Sequence, residues 1–78
     1  MEYLNARREL GIALGEARAG FKLYSRKRMQ YIIKRSKYNI NWTPEYRICF
    51  YYKEVNIWNA WRYFEEKIHT IKYEMSLL

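Results

Sequence analysis

The chain of 78 residues contains no aspartate, one cysteine, one histidine and one proline, and its three glycines all fall within the first quarter. Each shortage excludes something. Without aspartate the commonest carboxylate of metal sites and acid/base pairs is missing, together with a favoured turn residue. Cys49 has no second cysteine for an intrachain disulfide, and a lone thiol suits a reducing compartment, so cytoplasmic residence is expected. The longest unbroken apolar run is "ICFYY" at residues 48–52, far short of a membrane span, and "MEYLNARREL" lacks the charged-then-apolar order of a signal peptide. Neither secretion nor membrane insertion is expected.

The same shortages argue against catalysis. His69 has no second histidine near it, and Cys49 is distant in sequence, so neither a metal site nor a nucleophilic dyad is indicated. Glu65 and Glu66 are adjacent and do not share a helix face, which suits ion pairing with Arg62 or a facing base better than acid/base work. Gly11 and Gly15 in "GIALGE" lack the lysine and hydroxyl of a phosphate-binding loop. No enzyme, metal or cofactor is expected.

What the chain does hold is apolar and aromatic weight. Half of the residues are hydrophobic, with nine Tyr, three Trp and three Phe, a composition that folds. Residues 1–78 make one small domain, and a chain this short leaves much surface exposed after folding. "NWTPEYR" is a strong helix start: Thr43 caps, Pro44 fits the first helical position, and Glu45 answers the positive end of the helix dipole. Beyond it Ile57, Trp61, Phe64, Ile68, Ile71, Met75 and Leu78 recur at alternating spacings of four and three, a heptad seam. Before it Tyr3, Leu10, Ala17, Tyr24, Tyr31 and Tyr38 stand seven apart, with Ala6 and Ala13 between, so one helical phase runs through the N-terminal half. Gly20 is a candidate break in that phase and Ser25 a candidate fresh cap.

The expected fold is therefore all-α, a short antiparallel helical hairpin or a three-helix domain with "NINWT" reversing the chain. An α+β alternative has a β-hairpin near residues 38–52 and a C-terminal helix, because "YNINW" and "YRICFYY" alternate polar and apolar residues. The lack of Gly and Asp in the supposed turn counts against it.

The net charge of +7 is concentrated. Residues 1–16 hold two bases against three acids, and residues 45–78 hold five against five. Between Ala17 and Pro44 stand eight bases (Arg18, Lys22, Arg26, Lys27, Arg28, Lys34, Arg35 and Lys37) and no acid. Such a block attracts polyanions. Wound as a helix, it sets Tyr24, Tyr31 and Tyr38 on one line, with Arg28 and Arg35 on one flank, Lys27 and Lys34 on the other, and Phe21, Met29, Ile32 and Ile33 on the far face. Two readings follow. Either the tyrosine line is a free front on which rings stack bases and cations hold phosphates, or it is a buried seam with the bases as its snorkelling rims.

On the first reading Lys22, Tyr24, Arg26, Lys27, Arg28, Tyr31, Lys34, Arg35, Lys37 and Tyr38 form a nucleic-acid or partner-binding surface, and the protein is a small nucleic-acid-binding accessory or regulatory protein. The alternative function is a protein-binding inhibitor or adaptor of mobile-element type, using the same cations on an acidic surface of a larger partner and the tryptophans Trp42, Trp58 and Trp61 as anchors. Cys49 reads as a small core or interface residue. A homodimer is expected through Ile57, Trp61, Phe64, Ile68, Ile71 and Met75, two hairpins pairing into a bundle.

Overall fold

In the computed structural model, which describes residues 2–38 and 42–78, the chain is a two-helix hairpin. Helix α1 runs from Glu2 to Tyr38 and helix α2 from Pro44 to Ser76. No strand occurs among the described residues. The α+β alternative fails because residues 44–52 are helical, for the reason their sequence announces. Thr43 sits in extended backbone at φ −68°, ψ 158°, its Oγ1 accepts the Tyr46 N–H at 3.2 Å, and Pro44 occupies the first turn. The remaining part of the supposed β-hairpin, residues 39–41, and the side chain of Tyr38 lie outside the described residues.

There are two helices and not three, because α1 passes through Gly20 without a break. Glycine here serves packing: the ring of Phe64 occupies the space that a Cβ at Gly20 would need. The close approach of α2 at this point requires a residue without a side chain.

The helices are antiparallel, as the order of their contacts shows. Phe21 and Tyr24 meet Trp61 and Phe64, at 5.5 and 5.7 Å between ring centroids, whereas Tyr31 meets Phe50 at 4.9 Å and Arg35 meets Glu54. Trp42, at the entry to α2, closes this end against Tyr46 and Phe50 at 4.9 and 4.5 Å. The core is thin. Ala17, Phe50 and Ile71 are its buried apolar residues among those described, and around them lies a belt of half-buried side chains.

A rod of 60 × 16 × 14 Å exposes more surface than a compact chain. Its accessible surface is 6487 Å². A compact monomer of 9.8 kDa would expose about 5,200 Å², an excess here of about 1,300 Å².

Candidate nucleic-acid or partner interface

The acid-free block lies on the C-terminal half of α1, and the hairpin sorts its residues into two groups. Tyr24 and Tyr31 belong to the seam. Tyr24 stacks on Phe64 with the ring planes 19° apart, and Tyr31 leans on Phe50, so each ring is half-buried with a face turned to α2. The tyrosine line is thus the inner line of α1, with the phenol bodies covered by the aromatic residues of α2. The far face expected to be core is divided. Phe21 and Ile32 are half-buried, while Met29 and Ile33 point outward and are exposed.

Arg28 and Arg35 also leave the free front. The Arg28 guanidinium lies 3.7 Å from the ring centre of Trp58 and 4.6 Å from that of Trp61, and its Nε is buried without a hydrogen-bond partner. The two indole faces are what compensate the cation there, an arrangement for which the flat guanidinium is suited and an ammonium is not. Arg35 donates from Nη1 to Oε1 of Glu54 at 2.8 Å. Glu54 is only 7% exposed, while half of the Arg35 side chain remains in water. A buried carboxylate needs such a partner, and Arg35 supplies it from the solvent edge. Trp61 completes this part of the seam by donating from Nε1 to Ser25 Oγ at 2.9 Å, so Ser25 acts as a mid-helix acceptor and not as a cap.

The other cations of the block stay on the surface. Arg18, Lys22, Arg26, Lys27, Lys34 and Lys37 are all exposed. Lys27 lies along the edge of the hairpin with its Nζ 5.2 Å from the centre of the Tyr24 ring. Arg18, Lys22 and Arg26 stand at successive four-residue steps, a row with about 6 Å between neighbours. No acid from α1 interrupts this surface, because none occurs between Glu16 and Glu45.

The seam assigned to a dimer is filled from within the chain. Trp61 and Phe64 pack on Phe21, Ser25 and Tyr24 of α1, Ile71 is buried, and Ile57, Ile68 and Met75 are half-buried on the same stripe. A helix with one apolar stripe must cover it, and α1 is the nearest cover. Of the six, Trp61, Phe64 and Ile71 are therefore taken up by the hairpin itself. What sequence reasoning missed is a second stripe on α2, turned away from the seam: Ile48, Tyr51, Tyr52 and Val55, with Trp58, which Arg28 of α1 covers on one face, at its edge. Ile48 is 58% exposed, Tyr51 63% and Tyr52 64%.

Among the described residues there is no pocket, no group of three or more His, Cys, Asp or Glu placed to hold a metal ion, and no helix long and apolar enough to cross a membrane. No family model, curated protein or solved structure matches the chain.

Proposed function

We propose that this chain is a small non-enzymatic nucleic-acid-binding accessory or regulatory protein of the cytoplasm, engaging phosphates through Arg18, Lys22, Arg26, Lys27, Lys34 and Lys37. The observation that carries the reading is this set of exposed cations on a helix segment without a single acid. Phosphate neutralisation supplies most sequence-independent affinity for nucleic acid, and it needs an array of cations more than a shaped pocket. The seam position of Tyr24 and Tyr31 refines the expectation. With Tyr24 and Tyr31 packed against α2, the rings beside the cations are taken up by the hairpin, so binding rests on phosphate contacts, extends to duplex and shows little sequence preference.

The test is an electrophoretic shift with random-sequence duplex and single-stranded oligonucleotides at low and moderate salt. A shift with both at low salt that weakens steeply as salt rises supports the reading. No shift at low salt overturns it. A second reading, a protein-binding inhibitor or adaptor docking on an acidic partner, is favoured by the exposed aromatic stripe on α2, since Tyr and Trp dominate interface hot spots. Capture of a partner from native lysate that survives nuclease treatment separates it from the first. Self-association is compatible with either reading.

A further inference from the structure

We infer that the outward stripe of α2, Ile48, Tyr51, Tyr52, Val55 and Trp58, binds a second copy of this chain, the two α2 helices meeting antiparallel about a two-fold axis near residue 53. This does not depend on nucleic-acid binding.

The stripe is built like a seam, and apart from Trp58, covered on one side by Arg28, and the half-buried Val55 it lies open. Its members follow one another at spacings of three, one, three and three, which keeps them on one side of a helix. Phe50 and Glu54, buried against α1, interleave with them on the other side. Tyr51 and Tyr52 rest edge to face at 5.9 Å, forming a small preassembled aromatic cluster with more than half of each side chain in water. Trp58 is held in place from behind by the Arg28 guanidinium. Aromatic anchors fixed before contact lose little freedom on binding.

Three features select a second copy as the occupant. The first is area. The hairpin exposes about 1,300 Å² more than a compact chain of its mass, and a standard interface covers about 800 Å² on each partner. The stripe offers on the order of 500 Å² per chain from its large side chains alone, so two copies reach the lower end of specific interfaces once flanking atoms are included.

The second is charge. Every chain carries +7, which repels its copies, but residues 45–78 have as many acids as bases. Meeting through α2 places the two neutral helices at the centre and the cationic faces of α1 on opposite outer sides. They are then separated by four helix layers of about 10 Å each, well beyond the screening length of about 8 Å at physiological salt.

The third is self-complementarity. A two-fold interface needs a patch that matches itself when reversed. With the axis near residue 53, Ile48 opposes the partner's Trp58, and Tyr51 opposes the partner's Val55. Each pair sets an aromatic ring against an aliphatic side chain. The two ends of the stripe are thus complementary on reversal, and Tyr52 is the member without an opposite number in the partner's stripe.

The experiment uses the full chain, freed of nucleic acid, in sedimentation equilibrium from low to high micromolar concentration. The wild type is expected to dimerise within that range. Tyr52→Glu should weaken dimerisation at least tenfold while the helical circular dichroism stays unchanged, because Tyr52 is exposed and outside the hairpin seam. The register is tested by mixing. Tyr51→Glu and Val55→Lys should each be monomeric alone, since each homodimer would face two unpaired charges with apolar groups. Mixed, they should form a heterodimer in which one Glu–Lys pair and one wild-type Tyr–Val pair coexist. A wild type that stays monomeric throughout overturns the inference, as does a dimer indifferent to Tyr52→Glu or a failure of the mixture to associate. Binding of some other protein by a monomeric chain through the stripe would also count against it.

Discussion

Replacing Arg28 by alanine distinguishes a structural cation from a binding one. The guanidinium lies against two indole rings, at 3.7 Å from Trp58 and 4.6 Å from Trp61. A cation–π contact contributes about 0.5–1 kcal/mol when exposed and about 2 kcal/mol when desolvated, and Arg28 is half-buried, which places the pair between these limits. The aliphatic stem adds packing that alanine also removes. The expected loss is about 2 kcal/mol. For a domain of this size each kcal/mol shifts the midpoint by about 4–8 °C, so Arg28→Ala should melt roughly 8–16 °C below the wild type. Arg26→Ala, two residues away and on the open surface, should change stability by no more than about 0.5 kcal/mol. Thermal unfolding followed by far-ultraviolet circular dichroism measures both, and indole fluorescence should change with Arg28→Ala alone. Arg28→Lys should recover only part of the loss, because an ammonium does not lie flat between two rings. If Arg28→Ala and Arg26→Ala melt together, the tryptophan cage contributes nothing and the sorting of the cations is wrong.

Three further outcomes concern the ion pair, the glycines of α1 and the cap of α2. Arg35→Ala should cost more than the double replacement Arg35→Met with Glu54→Leu, since the single change strands a buried carboxylate while the double removes the need to pair it; urea midpoints compare them. Gly15→Ala should stabilise by about 0.5–1 kcal/mol, because its Cβ would enter open space in a helix interior, whereas Gly20→Ala should destabilise as its Cβ meets the Phe64 ring. Thr43→Ala should cost about 1 kcal/mol through loss of the cap on Tyr46 N–H, read by the same melts.

Much of the architecture was legible in the residues. Thr43, Pro44 and Glu45 announce the start of α2, and the run from Ile57 to Met75 names the side of α2 that packs. Both rest on local chemistry, a cap and a periodicity, that acts whatever the partner is. The orientation of α1 was legible only as two alternatives. Its inner line combines small residues, Ala17 and Gly20, with tyrosines, and the bulky complement comes from Phe50, Trp61 and Phe64 on a helix distant in sequence. Hydrophobicity along α1 alone favours Met29 and Ile33, yet the hairpin leaves both outside, because the depth of the seam is set by what α2 inserts.

The division of the basic block was harder still to read. Helical phase sets Arg28 and Arg35 beside the tyrosine line and Arg26 away from it, but says nothing of what would face them. Arg28 and Arg35 acquire their roles from Trp58, Trp61 and Glu54, more than eighteen positions away in sequence. The outward stripe of α2 was hidden in plain sight, as "ICFYY" supports a strand by alternation and a core helix by apolarity. Only the position of Phe50 in the seam shows that Ile48, Tyr51 and Tyr52 must face away.

The central claim is that the exposed cations of α1, and not the caged ones, meet phosphate. The most direct measurement is the affinity for a random-sequence duplex across a salt series, for the wild type and for Lys22→Ala with Arg26→Ala and Lys37→Ala. Neutralising four to six phosphates gives the wild type a slope of log affinity against log salt of about −4 to −5, and the triple variant should flatten it by roughly 2 to 3 while melting at the wild-type temperature. Absence of binding at low salt, or an unchanged slope in a triple variant that is fully folded, would contradict the claim.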